Sequence, residues 1–404
     1  MKKKIGLFSL LFLALAIGIS QLPGIQSRLA WRIEVAKTYA HGILFPAGDV
    51  PTAKPHPTVV PSLTPREPPS PSPIPTLPLA TETPLPERVL LTQPAYEQQD
   101  MNNCGPATLT MALRYFGWEG TQFDISDIVK PKRPDRNVNP EELAYYVNNY
   151  AGWLRAIYRV NGDAARLKAL ISAGFPVIIE ETFRFEEPYW LHDDLWAAHY
   201  LLLTGYDDAA REFTSQDSFH GENQILPYDE LEENWEPFNH LYFIVYLPEE
   251  EDEIKGILGE DWEEDSNRKR ALAASQKRIQ ENPDDAFAWF NLGSNLLYFE
   301  RYDEAADAYD TARNLGLPQR MMRYQFGPFI AYFQSNRIDD LLTLTNYALK
   351  ITPTSEEALL WHGWAKYREG DYAAARKDWE EALARHPGYA DAEYALRFLS
   401  GNSP

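Results

Sequence analysis

The chain has a single cysteine, in Gln98-Gln99-Asp100-Met101-Asn102-Asn103-Cys104-Gly105-Pro106-Ala107. Leu109, Ala112, Leu113 and Phe116 follow it with helical spacing, which predicts a buried amphipathic helix over 104–116. Asn103 is a good N-cap residue, and Pro106 costs little in a first turn. A thiol at that end meets unpaired backbone N–H groups and the positive end of the helix dipole. Both favour the thiolate, so Cys104 is a candidate nucleophile. A nucleophile of this kind also needs a base and a group to orient it. His199 opens the apolar run Ala197-Ala198-His199-Tyr200-Leu201-Leu202-Leu203-Thr204-Gly205-Tyr206, and a strand there would hold its ring. The next predicted strand runs into Gln216-Asp217-Ser218, so Asp217 can accept from the far ring nitrogen. Gln98, or Gln99 in its place, can donate an amide to a developing oxyanion, with the Cys104 N–H as the second donor.

The elements that must position these groups fall within 88–247. Helical patterns occupy 104–116, 140–150 and 164–173. Short apolar runs at 153–160, 177–180, 199–204, 211–215 and 241–247 predict strands. One helix leads and the strands cluster later, an α+β order rather than alternating βαβ units. Trp190 and Trp196 either line a cleft beside His199 or pack. His192, Asp193 and Asp194 fit no metal-ligand spacing, and no metal or cofactor is implied.

At these residues the chain resembles the papain-like cysteine peptidases, and among them the bacteriocin-leader-processing family 39 with its stand-alone relatives. The shared features are the upstream glutamine, Cys-Gly-Pro-Ala opening a helix, Gly-Phe-Pro-Val at 174–177, the His-strand-Gly-Tyr element and the following Asp. The resemblance implies a papain-like α+β fold and thiol hydrolysis of a peptide bond, with Cys104, His199, Asp217 and Gln98 in the roles above. Two positions depart from the family pattern. Asn103 replaces an acidic lead-in, and Ser218 stands where proline commonly follows the Asp. An NlpC-type cell-wall amidase also pairs a helix-terminal cysteine with a strand histidine, but it lacks the leading glutamine. A catalytically inactive peptide-binding scaffold is the other alternative.

Outside this domain the chain changes character several times. Lys2-Lys3-Lys4 precedes an uncharged apolar run from Ile5 to Ser20, and residues 1–25 read as a membrane signal-anchor, with a cleaved signal peptide as the alternative. Either reading exports the remainder, giving a single-pass membrane protein with its domains on the extracytoplasmic side, or a secreted one. Residues 26–45 suit a juxtamembrane helix at the membrane surface. Residues 46–87, rich in proline, suit an extended stalk. Residues 248–265 are dense in Glu and Asp and suit a solvated hinge. From 266 to 400 the pattern is helical and repeats. Trp289, Leu292, Gly293, Ala305, Tyr309 and Ala312 recur in the sequence around Leu359, Gly363, Ala375, Trp379 and Ala382. This resembles the tetratricopeptide repeat, with a weaker middle copy and a capping helix from Tyr389. Such an all-α solenoid implies a protein partner held in its concave face.

The balance of 59 acidic against 38 basic residues, a net charge of −21, leaves no general basic face for nucleic acid. One cysteine excludes an internal disulfide and a zinc ribbon. The expected protein is therefore a membrane-tethered cysteine peptidase acting on a peptide or protein, with a repeat domain for partner binding.

Overall fold

The computed structural model describes residues 23–46, 48–55 and 84–401. The apolar run before residue 23 and most of the proline-rich stretch lie outside the described residues. Among the described residues, no helix is long and apolar enough to cross a membrane.

Helix α1 (Pro23–Leu44) forms where a juxtamembrane helix was expected, but its second half lies on protein. Thr38 and Gly42 are buried, and His41 bonds the main-chain oxygen of Lys350. Residues 48–55 likewise lie on the repeat domain instead of starting a free stalk. The reason is physical: a proline-rich chain keeps its carbonyls as acceptors, and buried donors are there to use them.

The first domain is a seven-stranded antiparallel sheet with helices packed on it. In chain order its elements are β1 (Arg88–Leu90), α2 (Cys104–Tyr115), α3 (Gln122–Val129), α4 (Pro140–Tyr150), β2 (Arg155–Arg159), α5 (Ala164–Ser172), β3 (Val177–Arg184), β4 (Trp196–Asp207), β5 (Glu212–Asp217), β6 (Gly221–Pro227), α6 (Tyr228–Trp235) and β7 (Tyr242–Tyr246). The strands run in the order β2-β7-β3-β4-β5-β6, with β1 added to the end of β4. Gly205 admits β1, because a Cβ there would meet the Val89 carbonyl at 2.7 Å. Alternation along β4 splits the core. Tyr200 and Leu202 pack with Leu109 and Leu113 of α2, while Leu201 and Leu203 pack with Leu167 and Leu170 of α5.

The acidic stretch expected to be a hinge is folded. Helix α7 (Glu251–Leu258) buries Ile254 and Leu258 against the α5 side of the core, and Arg166 bonds the Ile257 carbonyl and Asp261. Charge density did not prevent this because two apolar residues at i, i+4 give the helix one buried stripe. It leads through α8 (Glu264–Glu281) into the repeats.

Three helix pairs follow: α9 (Ala286–Tyr298) with α10 (Tyr302–Leu315), α12 (Gly327–Gln334) with α13 (Ile338–Ile351), and α14 (Glu356–Arg368) with α15 (Tyr372–Arg385). The short helix α11 (Met321–Tyr324) lies before the second pair, and α16 (Ala390–Gly401) caps the last. The recurring small and aromatic positions are crossing points. A Cβ on Gly293 would lie 2.7 Å from the Tyr309 ring, and one on Gly363 would lie 2.4 Å from Nε1 of Trp379.

Candidate active site

Cys104 is the first residue of α2, as its spacing required. Asn103 precedes it, but its side chain makes no capping bond. Its Nδ2 donates instead to Oε1 of Gln122 at 2.8 Å, and the same oxygen accepts the Asp100 N–H at 2.7 Å. The turn before the helix is therefore tied to α3. Asn102 takes a left-handed φ of 56°, which an Asn tolerates better than most residues.

His199 lies near the start of β4, opposite Glu181 of β3, and is 4% exposed. Asp217 ends β5, where it pairs with Leu201. The sheet thus brings the two together: Nε2 of His199 lies 2.8 Å from Oδ1 of Asp217. The same oxygen accepts the Phe219 N–H at 2.7 Å, and Oδ2 meets Nδ1 of His220 at 2.6 Å. Burial works against the Asp217 carboxylate, yet the His199 hydrogen bond and charge with these donors hold it below the usual range. Burial also opposes charge on His199, but hydrogen bonds to Asp217 and Cys104 outweigh it and push its pKa up to about 10. Cys104 is moved the other way. Burial raises it, while the hydrogen bond and charge of His199, the Tyr200 backbone and the charge of Lys130 together bring it down. The directions are those of a thiolate–imidazolium pair oriented by a carboxylate.

Gln98 is exposed, and its carbonyl accepts from Nε2 of Gln122, which fixes the main chain ahead of Cys104. Gln99 serves a different purpose. Its Oε1 accepts from Oγ of Ser218, and its N–H donates to the Ser218 carbonyl at 2.9 Å. Ser218 therefore ties the segment that leads to Cys104 to the end of the strand that carries Asp217.

Three buried groups at the site had no sequence signal. Lys130 is 3% exposed and donates to the carbonyls of Asn102 at 2.6 Å and Asp135 at 2.8 Å, which places a cation behind the helix terminus. Glu180 lines the cleft at Cys104, and burial together with the Cys104 charge holds its carboxyl well above the usual range. Tyr200 lines the same cleft and donates to the Val138 carbonyl at 3.0 Å. Lys130 opens the basic run Lys130-Pro131-Lys132-Arg133, and nothing in that run sets it apart from its neighbours.

The repeat domain supplies part of the walls. Tyr324 of α11 lines the Cys104 cleft with Arg136 and Glu180. Phe287 of α9 closes a cavity of 640 Å³ lined by Asp217, His220, Glu181 and Phe183. Trp190 and Trp196 are buried packing residues. Trp190 donates to Oε1 of Gln319 at 2.7 Å, and Trp196 stacks on Phe238 and lines the larger cavity. Asp193 and Asp194 accept from Arg320. Elsewhere, Asp135, Glu356 and His386 place ligand atoms within 4.8 Å of one another where the first domain meets the last repeat.

Residues 90–243 match the Peptidase_C39 like family. Solved structures resembling parts of the chain include a Bacillus anthracis protein assigned as a C39-like peptidase (17% identity, 40% of this chain and 98% of that one, TM-score 0.32). Another is a double glycine motif protease from an AMS/PCAT transporter in complex with the leader peptide (18% identity, 39% and 94%, TM-score 0.29). A third is a thermophilic TPR protein of Thermus thermophilus (21% identity, 34% and 75%, TM-score 0.28). No curated protein matches the chain. The first domain is thus similar to the C39-like peptidase family over residues 90–243, and a region of paired helices follows it.

Proposed function

We propose that the protein is an exported, membrane-tethered cysteine peptidase that hydrolyses peptide bonds through Cys104, His199 and Asp217, with the repeat domain binding a protein or peptide. The observation that carries this reading is the 2.8 Å contact of Asp217 with Nε2 of a buried His199, together with a Cys104 thiol that opens a helix and, against the effect of burial, is lowered chiefly by His199. In the proposed reaction, the Cys104 thiolate attacks the scissile carbonyl carbon. The tetrahedral oxyanion takes the Cys104 N–H and the Gln98 amide as donors. Imidazolium His199 gives its proton to the departing amine, and a thioester remains on Cys104. Neutral His199 then takes a proton from water, hydroxide adds to the thioester, and the carboxylic acid leaves as the thiol is restored. Asp217 keeps the ring oriented and stabilises its charged form. The tether rests on the lysines and the apolar run from Ile5 to Ser20.

The test is cleavage of a peptide library by the full chain, read by mass spectrometry beside Cys104→Ala. Products that appear with the wild type and vanish in the variant support the reading. Identical product sets contradict it.

A further inference from the structure

Residues 48–55 are engaged almost entirely through their backbone by the second helices of the first two repeats. Arg313, whose side chain is fully buried, donates from Nε to the Pro51 carbonyl at 2.9 Å and from Nη2 to the Thr52 carbonyl at 3.2 Å. The Ala53 N–H donates to Oδ1 of Asn314 at 2.9 Å, and the Tyr347 hydroxyl donates to the Gly48 carbonyl at 3.0 Å. Val50, 5% exposed, joins the core cluster that includes Leu317, Leu344 and Tyr347. Lys54 pairs at the rim with Asp339. A face that buries an arginine fork against two successive carbonyls is built to hold an extended chain, and proline suits it because few N–H groups are asked for.

The same segment is continuous with α1, which lies at the rim of the Cys104 cleft. Arg136, a residue of that cleft, donates to Oγ1 of Thr38 at 3.1 Å. Gly42 packs on Trp190, with room for no Cβ.

We propose that Gly48–Pro55 is a cis ligand of the repeat domain, a strap that holds α1 across the rim of the Cys104 cleft. An extended, proline-containing segment of a protein substrate competes for the same face and frees the cleft. This rests on the reading of the repeats as a peptide-binding surface, and it puts that surface on the second helices rather than the concave face. A ligand that must displace a cis occupant binds more weakly by the fraction of time the face is empty.

The experiment uses the full chain and its Val50→Asp variant, whose altered residue lies outside both domains. A fluorescent peptide with the sequence of residues 48–55 is titrated into each. The rate at which a bulky maleimide modifies Cys104, the only cysteine, is measured in parallel. Iodoacetamide serves as the measure of intrinsic thiolate reactivity, and circular dichroism as the measure of folding. The proposal expects Val50→Asp to bind the peptide at least about fivefold tighter than the wild type. It expects maleimide, relative to iodoacetamide, to react at least about fivefold faster in the variant and in wild type saturated with peptide. Equal affinities in the two proteins overturn the strap. Tighter binding without a change in the maleimide rate overturns the hold on the cleft. If even the folded variant binds no peptide, both the strap and the peptide-binding reading of this face fail.

Discussion

In the proposed reaction, Asp217 and Lys130 divide the work around the Cys104–His199 pair. Asp217 orients and charges the imidazole, and Lys130 stabilises the thiolate from behind. Asp217→Asn keeps the shape but removes the charge. It should lower the peptidase kcat by about 10²-fold or more, measured on any peptide the wild type cleaves. Lys130→Met should instead move the acid limb of the kcat/KM profile to higher pH, since the thiolate loses a neighbouring cation. A purely structural role would lower activity without moving that limb. Cys104, His199 and Asp217 were legible because nucleophile, base and orienting group each open or close an element that the hydrophobic pattern reveals. The other close contacts were not. Glu180 follows the apolar run Val177-Ile178-Ile179 and precedes Glu181, so it reads as the solvated end of a short strand. Only the tertiary approach of α2 turns it into a buried carboxyl.

The elements follow the hydrophobic period closely. The α4 pattern at 140–150 and the strand at 241–247 form within one residue of their expected ends. The missed elements are short or polar. β6 carries Gly-Glu-Asn-Gln, and α3 and α6 have only eight residues each, so neither period nor composition marks them. In the repeats, recurrent spacing reflects contact. Gly363→Ala would drive a methyl into Trp379, and it should cost about 1–3 kcal/mol, measured by urea unfolding of the full chain. A loss below about 0.5 kcal/mol would show that α14 and α15 can move apart freely.

The whole molecule is less modular than its composition suggests. The acidic stretch is a packed helix, and a buried arginine joins the Trp190–Gln319 bond in pinning the two domains. Arg320 reaches both carboxylate oxygens of Asp193 at 2.6 Å, is shielded from solvent and lies 4.0 Å from the Trp190 ring centre. Removing it leaves the buried Asp193 carboxylate with the Tyr189 and Leu195 N–H groups but without its ion-pair partner, so Arg320→Ala should cost about 3–5 kcal/mol and split one calorimetric transition into two. Because Tyr324 and Phe287 line the cavities at the site, residues 88–250 alone should lose peptidase activity even where they remain folded. The same interface should respond to pH. Burial and the neighbouring Asp135 charge raise Glu356 to about 9 from its ordinary 4.5. In the folded protein this carboxyl therefore holds a proton that the unfolded chain has released. Its contribution is complete below about pH 4.5 and is lost as pH rises toward 9. Glu356→Gln should flatten that decline in melting temperature between about pH 5 and 9.

Everything proposed for the active site depends on the thiolate–imidazolium pair, and alkylation of the only cysteine reads it directly. The rate of iodoacetamide reaction at Cys104 is measured against pH in the wild type and in His199→Ala. The account predicts a wild-type rate already on its plateau well below about pH 8.5, the range where a free thiol ionises, and a His199→Ala midpoint shifted upward. A midpoint near about 8.5 in both proteins would contradict it.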